Sequence, residues 1–185
     1  MTLLQLTYSR LVVVVLSGFL LGMLMLDLRF DAWYIGSFAG YKEDPQLIQT
    51  ALRYYHHVDS NWFIPRVIDL TIAIVGTCGV YLLSSHRYPE TPTHIHGSTS
   101  RTSDLVNILL FVVGAPYFVL VVQPALAAVT KAVAATPSGK EVAVPEGLKD
   151  NLTVVAQGHF VLVGIVSTVL FMSVMFMKKV GVKDD

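Results

Sequence analysis

Residues 4–26 read LQLTYSRLVVVVLSGFLLGMLML, an apolar run in which Arg10 is the only charged residue. At about 1.5 Å of helical rise per residue, a run of this length crosses the ~30 Å hydrocarbon layer of a bilayer. Residues 62–84, 105–128 and 152–177 form three further blocks of comparable length and character. Lipid offers no hydrogen-bond partner to a free peptide group, so spans of this kind must be helical; the short alternating strands of a transmembrane barrel are absent. The sequence therefore predicts an all-α integral membrane four-helix bundle, one domain over residues 1–185.

Composition agrees. Of the 185 residues, 54% are hydrophobic and 14% charged, whereas soluble domains carry about a quarter charged residues. Thirteen basic against thirteen acidic residues leave no net charge to attract a polyanion, which argues against a nucleic-acid partner. Cys78 is the only cysteine, so no intrachain disulfide framework is available. The first apolar block exceeds the h-region of a secretory leader and has no small-residue exit, so it reads as a retained span.

Four spans place both chain ends on one side together with the residue 85–104 connection. Arg10, Arg87, Arg101, Lys178, Lys179 and Lys183 fall there, against Arg29, Lys42, Arg53, Arg66, Lys131, Lys140 and Lys149 opposite. So even a distribution orients the chain poorly under the positive-inside rule, with a slight lean towards the side of the termini lying inside. The first connection is more than a loop. Asp44 followed by Pro45 is a helix-start signal, and Leu47, Ile48, Ala51, Leu52, Tyr55 and Val58 recur at helical spacing. This predicts a short interfacial amphipathic helix between spans 1 and 2, with Tyr54, Tyr55, Trp62 and Phe63 suited to the headgroup zone. Gly18 and Gly22 in the first span and Gly76 and Gly79 in the second are small enough for helices to approach closely, within the bundle or with a partner.

Sorting the polar residues of the spans by depth collects them near the side opposite the termini. Asp27, Arg29 and Asp31 close the first span; Arg66 and Asp69 follow entry of the second; Gln123 precedes exit of the third; Gln157 and His159 follow entry of the fourth. Asp69, Gln123 and His159 fall about 8–10 Å inside the ends of their blocks. An ionised Asp at mid-bilayer costs about 2.5–3.5 kcal/mol, so this belt is expected to face the bundle and find partners. Arg66 and Asp69, three apart, can pair; Asp27 and Asp31, four apart, repel unless a cation such as Arg66 intervenes or one is protonated.

The belt has a structural reading, an internal network that fixes helix register, and three functional ones. His57, His159, Arg66 and Asp69 offer groups for a haem or quinone pocket. Asp27, Asp31, Asp69 and His159 offer groups for proton handling, and the whole layer offers a small-molecule or headgroup pocket. His86, His94 and His96 lack the cysteine or carboxylate that would complete a metal site. No phosphate-binding glycine loop, nucleophile elbow or zincin helix is present. The expectation is a noncatalytic multi-pass subunit that scaffolds or helps assemble a larger membrane complex with other subunits. A small redox protein with a haem or quinone is the alternative, and the mitochondrial inner membrane is the expected location.

Overall fold

The computed structural model describes residues 3–38, 44–61, 63–85, 98–137 and 140–180, with side chains over 8–36, 44–61, 63–85, 104–137 and 140–175. Seven α-helices follow in order: α1 (Leu3–Phe30), α2 (Ala32–Phe38), α3 (Pro45–Ser60), α4 (Phe63–Ser85), α5 (Ser98–Tyr117), α6 (Gln123–Ala134) and α7 (Glu146–Val180). A π-helical turn, Phe118–Val122, joins α5 to α6, and the described residues contain no strand. Among the described residues four stretches are long and apolar enough to cross a membrane: Tyr8–Phe30, Phe63–Ser85, Asp104–Ala134 and Glu146–Met175. In the most apolar 18-residue window of each, only 11% to 22% of the residues are buried, so most of that apolar surface needs a lipid-like medium. The protein is a multi-pass, all-α integral membrane protein.

Local chemistry explains the irregular places. Pro124 has no N–H to donate, and in an α-helix its ring would press on the carbonyl four residues back, that of Leu120. The chain answers by widening: Gln123 N–H bonds Phe118 O, five residues back, so the third span continues through a π turn. At the start of α3 the Asp44 carboxylate accepts from Gln46 N–H at 2.9 Å and Pro45 occupies the first turn, two devices that satisfy or remove orphan donors. Asn61 then does the same for α4, its side-chain oxygen accepting from Phe63 N–H at 3.0 Å.

The chain packs as two compact units. One comprises Met1–Gly22, Asp69–Ala115 and Gly164–Asp185. Val13, Leu82 and Val169 form its buried apolar centre. Glycines of α4 give the facing helix room: a Cβ at Gly76 would strike the Phe111 ring, and one at Gly79 would lie 2.8 Å from Ile108. Gly18 and Gly22 differ, since a Cβ there meets nothing within 4 Å. This unit also holds a buried ion pair, Arg10 Nη2 to Asp104 Oδ2 at 3.0 Å.

The second unit comprises Met23–Ile68 and Pro116–Val163. Its core joins Trp33 of α2, Ile48, Ala51, Leu52 and Tyr55 of α3, Ala125 and Val129 of α6, and Leu148, Leu152, Val155 and Ala156 of α7. The apolar face of α3 is therefore covered by the chain's own helices. A double hydrogen bond fixes it there: Gln49 Nε2 donates to Val142 O at 2.8 Å and Val142 N–H donates to Gln49 Oε1 at 3.0 Å. On α7, Gly158 lies against the π turn, where an added Cβ would collide with Val122. Gly158→Ala is expected to cost about 1–3 kcal/mol through overpacking. Gly164→Ala, at a position open for 4 Å, should be neutral or stabilising by up to about 1 kcal/mol. Equal thermal midpoints for the two variants would contradict this packing.

Candidate functional site

The last turn of α1 carries Asp27, and the helix breaks at Asp31, whose carbonyl starts α2 by accepting from Tyr34 N–H at 2.9 Å and Ile35 N–H at 3.2 Å. Both carboxylates then lie within reach of α3. Tyr54 donates its hydroxyl proton to Asp27 Oδ1 at 2.6 Å, and Tyr55 donates to Asp31 Oδ1. Phe30 stacks on Tyr54 with ring centroids 3.6 Å apart, which fixes that phenol's direction. From α7, His159 Nδ1 meets Asp31 Oδ2 at 2.9 Å and lies 3.4 Å from the Tyr55 hydroxyl. Its Nε2 faces Asp27 Oδ2 at 3.9 Å. Asp31 is fully buried and His159 nearly so.

Charge and hydrogen bonding agree here. Burial, with the neighbouring carboxylates next, pushes the Tyr54 and Tyr55 phenols well above their ordinary range, so both remain donors across physiological pH. Each ring nitrogen of His159 has a carboxylate before it. The like-charge pair Asp27 and Asp31 is thus bridged by an imidazole and two phenols. Nδ1 of His159 is within hydrogen-bond distance of Asp31, and Nε2 is directed at Asp27 at the longer distance of 3.9 Å.

The remaining belt residues are placed differently. Gln157 donates to the Tyr34 hydroxyl at 3.0 Å, beside Phe160, whose ring centroid is 6.2 Å from that of Tyr34. Gln123 is half-buried and makes no side-chain hydrogen bond among the described residues. Arg29, Arg66 and Asp69 are exposed. Arg66 and Asp69 form no ion pair among the described residues, and the group between Asp27 and Asp31 is His159 instead of Arg66. His57 is exposed on α3. The four residues considered for a haem or quinone therefore include one, His159, that belongs to the buried cluster. No group of three or more metal-binding side chains with suitable geometry occurs among the described residues. His86, His94 and His96 lie outside those residues.

Sequence reading misses the tyrosines, assigning Tyr54 and Tyr55 to the headgroup zone. The available signal is the unfavourable Asp27 and Asp31 spacing, which demands donors, together with Tyr55 on the apolar face of α3. It misses the Arg10 and Asp104 pair too, although a lone arginine in an apolar run itself calls for a buried carboxylate. Comparison with protein-family models, with curated proteins and with solved structures finds no match, so the functional argument rests on these residues alone.

Proposed function

We propose that the chain is a noncatalytic subunit that scaffolds or helps assemble a larger membrane protein complex. Asp69 carries this reading. It lies six residues after Phe63 in α4, about 9 Å along the helix; it is exposed and has no ion-pair partner among the described residues. A carboxylate turned towards acyl chains is unfavourable by about 2.5–3.5 kcal/mol at mid-bilayer and by less towards the boundary. Its outward position supports a protein neighbour that supplies a cation or a hydrogen-bond donor. The open faces at Gly18 and Gly22 suit close approach by a second helix. The alternative, a small haem or quinone protein, draws less support, because both nitrogens of His159 are directed at carboxylates. The mitochondrial inner membrane is the location we propose, a compartment compatible with a lone Cys78.

Native mass spectrometry of a mild-detergent extract tests the proposal. The wild-type chain is expected in species heavier than its own 20.3 kDa that contain a different protein. Asp69→Leu should lower recovery of that companion about tenfold, the change that ~1.4 kcal/mol of lost interaction produces, while the thermal midpoint of the chain is kept. A wild-type chain that is monomeric both in mild detergent and in nanodiscs overturns the reading.

A further inference from the structure

Beyond the carboxylate cluster, the second unit contains a cavity of about 280 Å³ between α3 and the end of α6. Water occupies about 30 Å³ per molecule in the liquid, so the space admits a small polar group with its hydration. Three of its lining residues are basic: Arg53 and His56 from α3, and Lys140 from the segment after α6. Among the described residues no acidic side chain lines it; Glu141, next to Lys140 in sequence, and Asp59, one turn beyond His56, are not among the wall residues. Neither Arg53 nor Lys140 has an ion-pair partner among the described residues, and His56 Nδ1 is closed off from solvent without a hydrogen-bond partner.

The end of a helix presents carbonyls, which repel an anion when they are free. Three of those of α6 are occupied. Ala135 N–H bonds the carbonyls of Lys131 and Val133, Thr136 N–H bonds Val133 O at 3.0 Å, and the Thr136 hydroxyl donates to Ala132 O at 3.1 Å. The charged side chains along the wall, Arg53 and Lys140, are cationic. The wall is also held in place, because Val142, another lining residue, is the one clasped by Gln49. The third span ends at Ala134, and Ala134 itself lines the cavity, which therefore opens where a span gives way to the headgroup layer.

We propose that this cavity binds a phosphate group, with Arg53 and Lys140 as its charged donors. Guanidinium and ammonium groups form charge-assisted hydrogen bonds to phosphate oxygens. The phosphate belongs either to a lipid headgroup or to a free ion, and one experiment separates the two sources. The full chain in dodecyl maltoside, a phosphate-free micelle, is titrated with phosphatidic acid, with diacylglycerol of the same acyl chains, and with inorganic phosphate at constant ionic strength. Bound species are counted by native mass spectrometry, and stability is followed by thermal melting.

Binding of phosphatidic acid but not diacylglycerol is expected, weakened at least about tenfold in Arg53→Gln/Lys140→Gln and unchanged in Lys131→Gln, an exposed cation of α6 outside the cavity. Protection by inorganic phosphate as well, lost in the same variant, identifies the free ion as sufficient. Should the double variant fold poorly, Lys140→Gln alone, at an exposed position, is expected to show a several-fold loss. The proposal is overturned if neither phosphate source binds, if diacylglycerol binds equally, or if Lys131→Gln weakens binding as much as Lys140→Gln.

Discussion

Asp31→Ala is expected to destabilise the protein by about 3–5 kcal/mol, the range for removing one member of a buried, charge-assisted cluster. Asp31 is fully buried; its loss leaves the Tyr55 hydroxyl and His159 Nδ1 without the carboxylate that both contact. Asp31→Asn keeps the volume and an acceptor, so a smaller loss of about 1–3 kcal/mol is expected. Reversible unfolding in mixed micelles, followed by far-ultraviolet circular dichroism, measures both. If Asp31→Ala stays within about 0.5 kcal/mol of wild type, as an exposed substitution would, the buried cluster cannot be what holds α3 against α1 and α7. The same variant separates two roles: Asp31→Ala acts on stability, whereas Asp69→Leu should act on companion recovery with stability kept.

The second large effect belongs to the other unit. Arg10→Leu and Asp104→Leu should each cost about 3–5 kcal/mol, since each removes a 3.0 Å ion-pair contact from a charge at a site less than a tenth exposed. The double variant Arg10→Leu/Asp104→Leu should recover most of that loss, because two apolar side chains of moderate size replace a pair whose desolvation is unfavourable. A double-mutant cycle in the same micelles gives the coupling directly. Strict additivity of the single losses would mean that the 3.0 Å contact contributes no interaction energy of its own.

Length and apolarity make the four spans readable from sequence, but their ends and phases are less so. The third span runs on to Ala134, beyond residue 128, because the π turn accommodates Pro124 without ending the helix. The α4 sequence is apolar around most of its circumference, so pattern alone does not say which way Arg66 and Asp69 turn; packing of Gly76 and Gly79 against Phe111 and Ile108 sets that phase. Depth counting singles out Asp27, Asp31 and His159, which meet in the buried cluster. It cannot supply Tyr54 and Tyr55, since a tyrosine beside a span suits a headgroup layer and a buried carboxylate equally well. Nor does periodicity distinguish an apolar helix face resting on lipid from one covered by α6 and α7, as that of α3 is.

The contacts that seat α3 have a consequence for biosynthesis. Tyr55 and His159 are 104 residues apart, and Gln49 and Val142 are 93 apart. At about 5–20 residues per second, the ribosome emits α3 roughly 5–20 s before the groove that receives it exists. During that interval Ile48, Leu52 and Tyr55 must be sheltered by the bilayer surface or by an insertion factor. The newborn chain thus completes its first connection only after its last span has been translated.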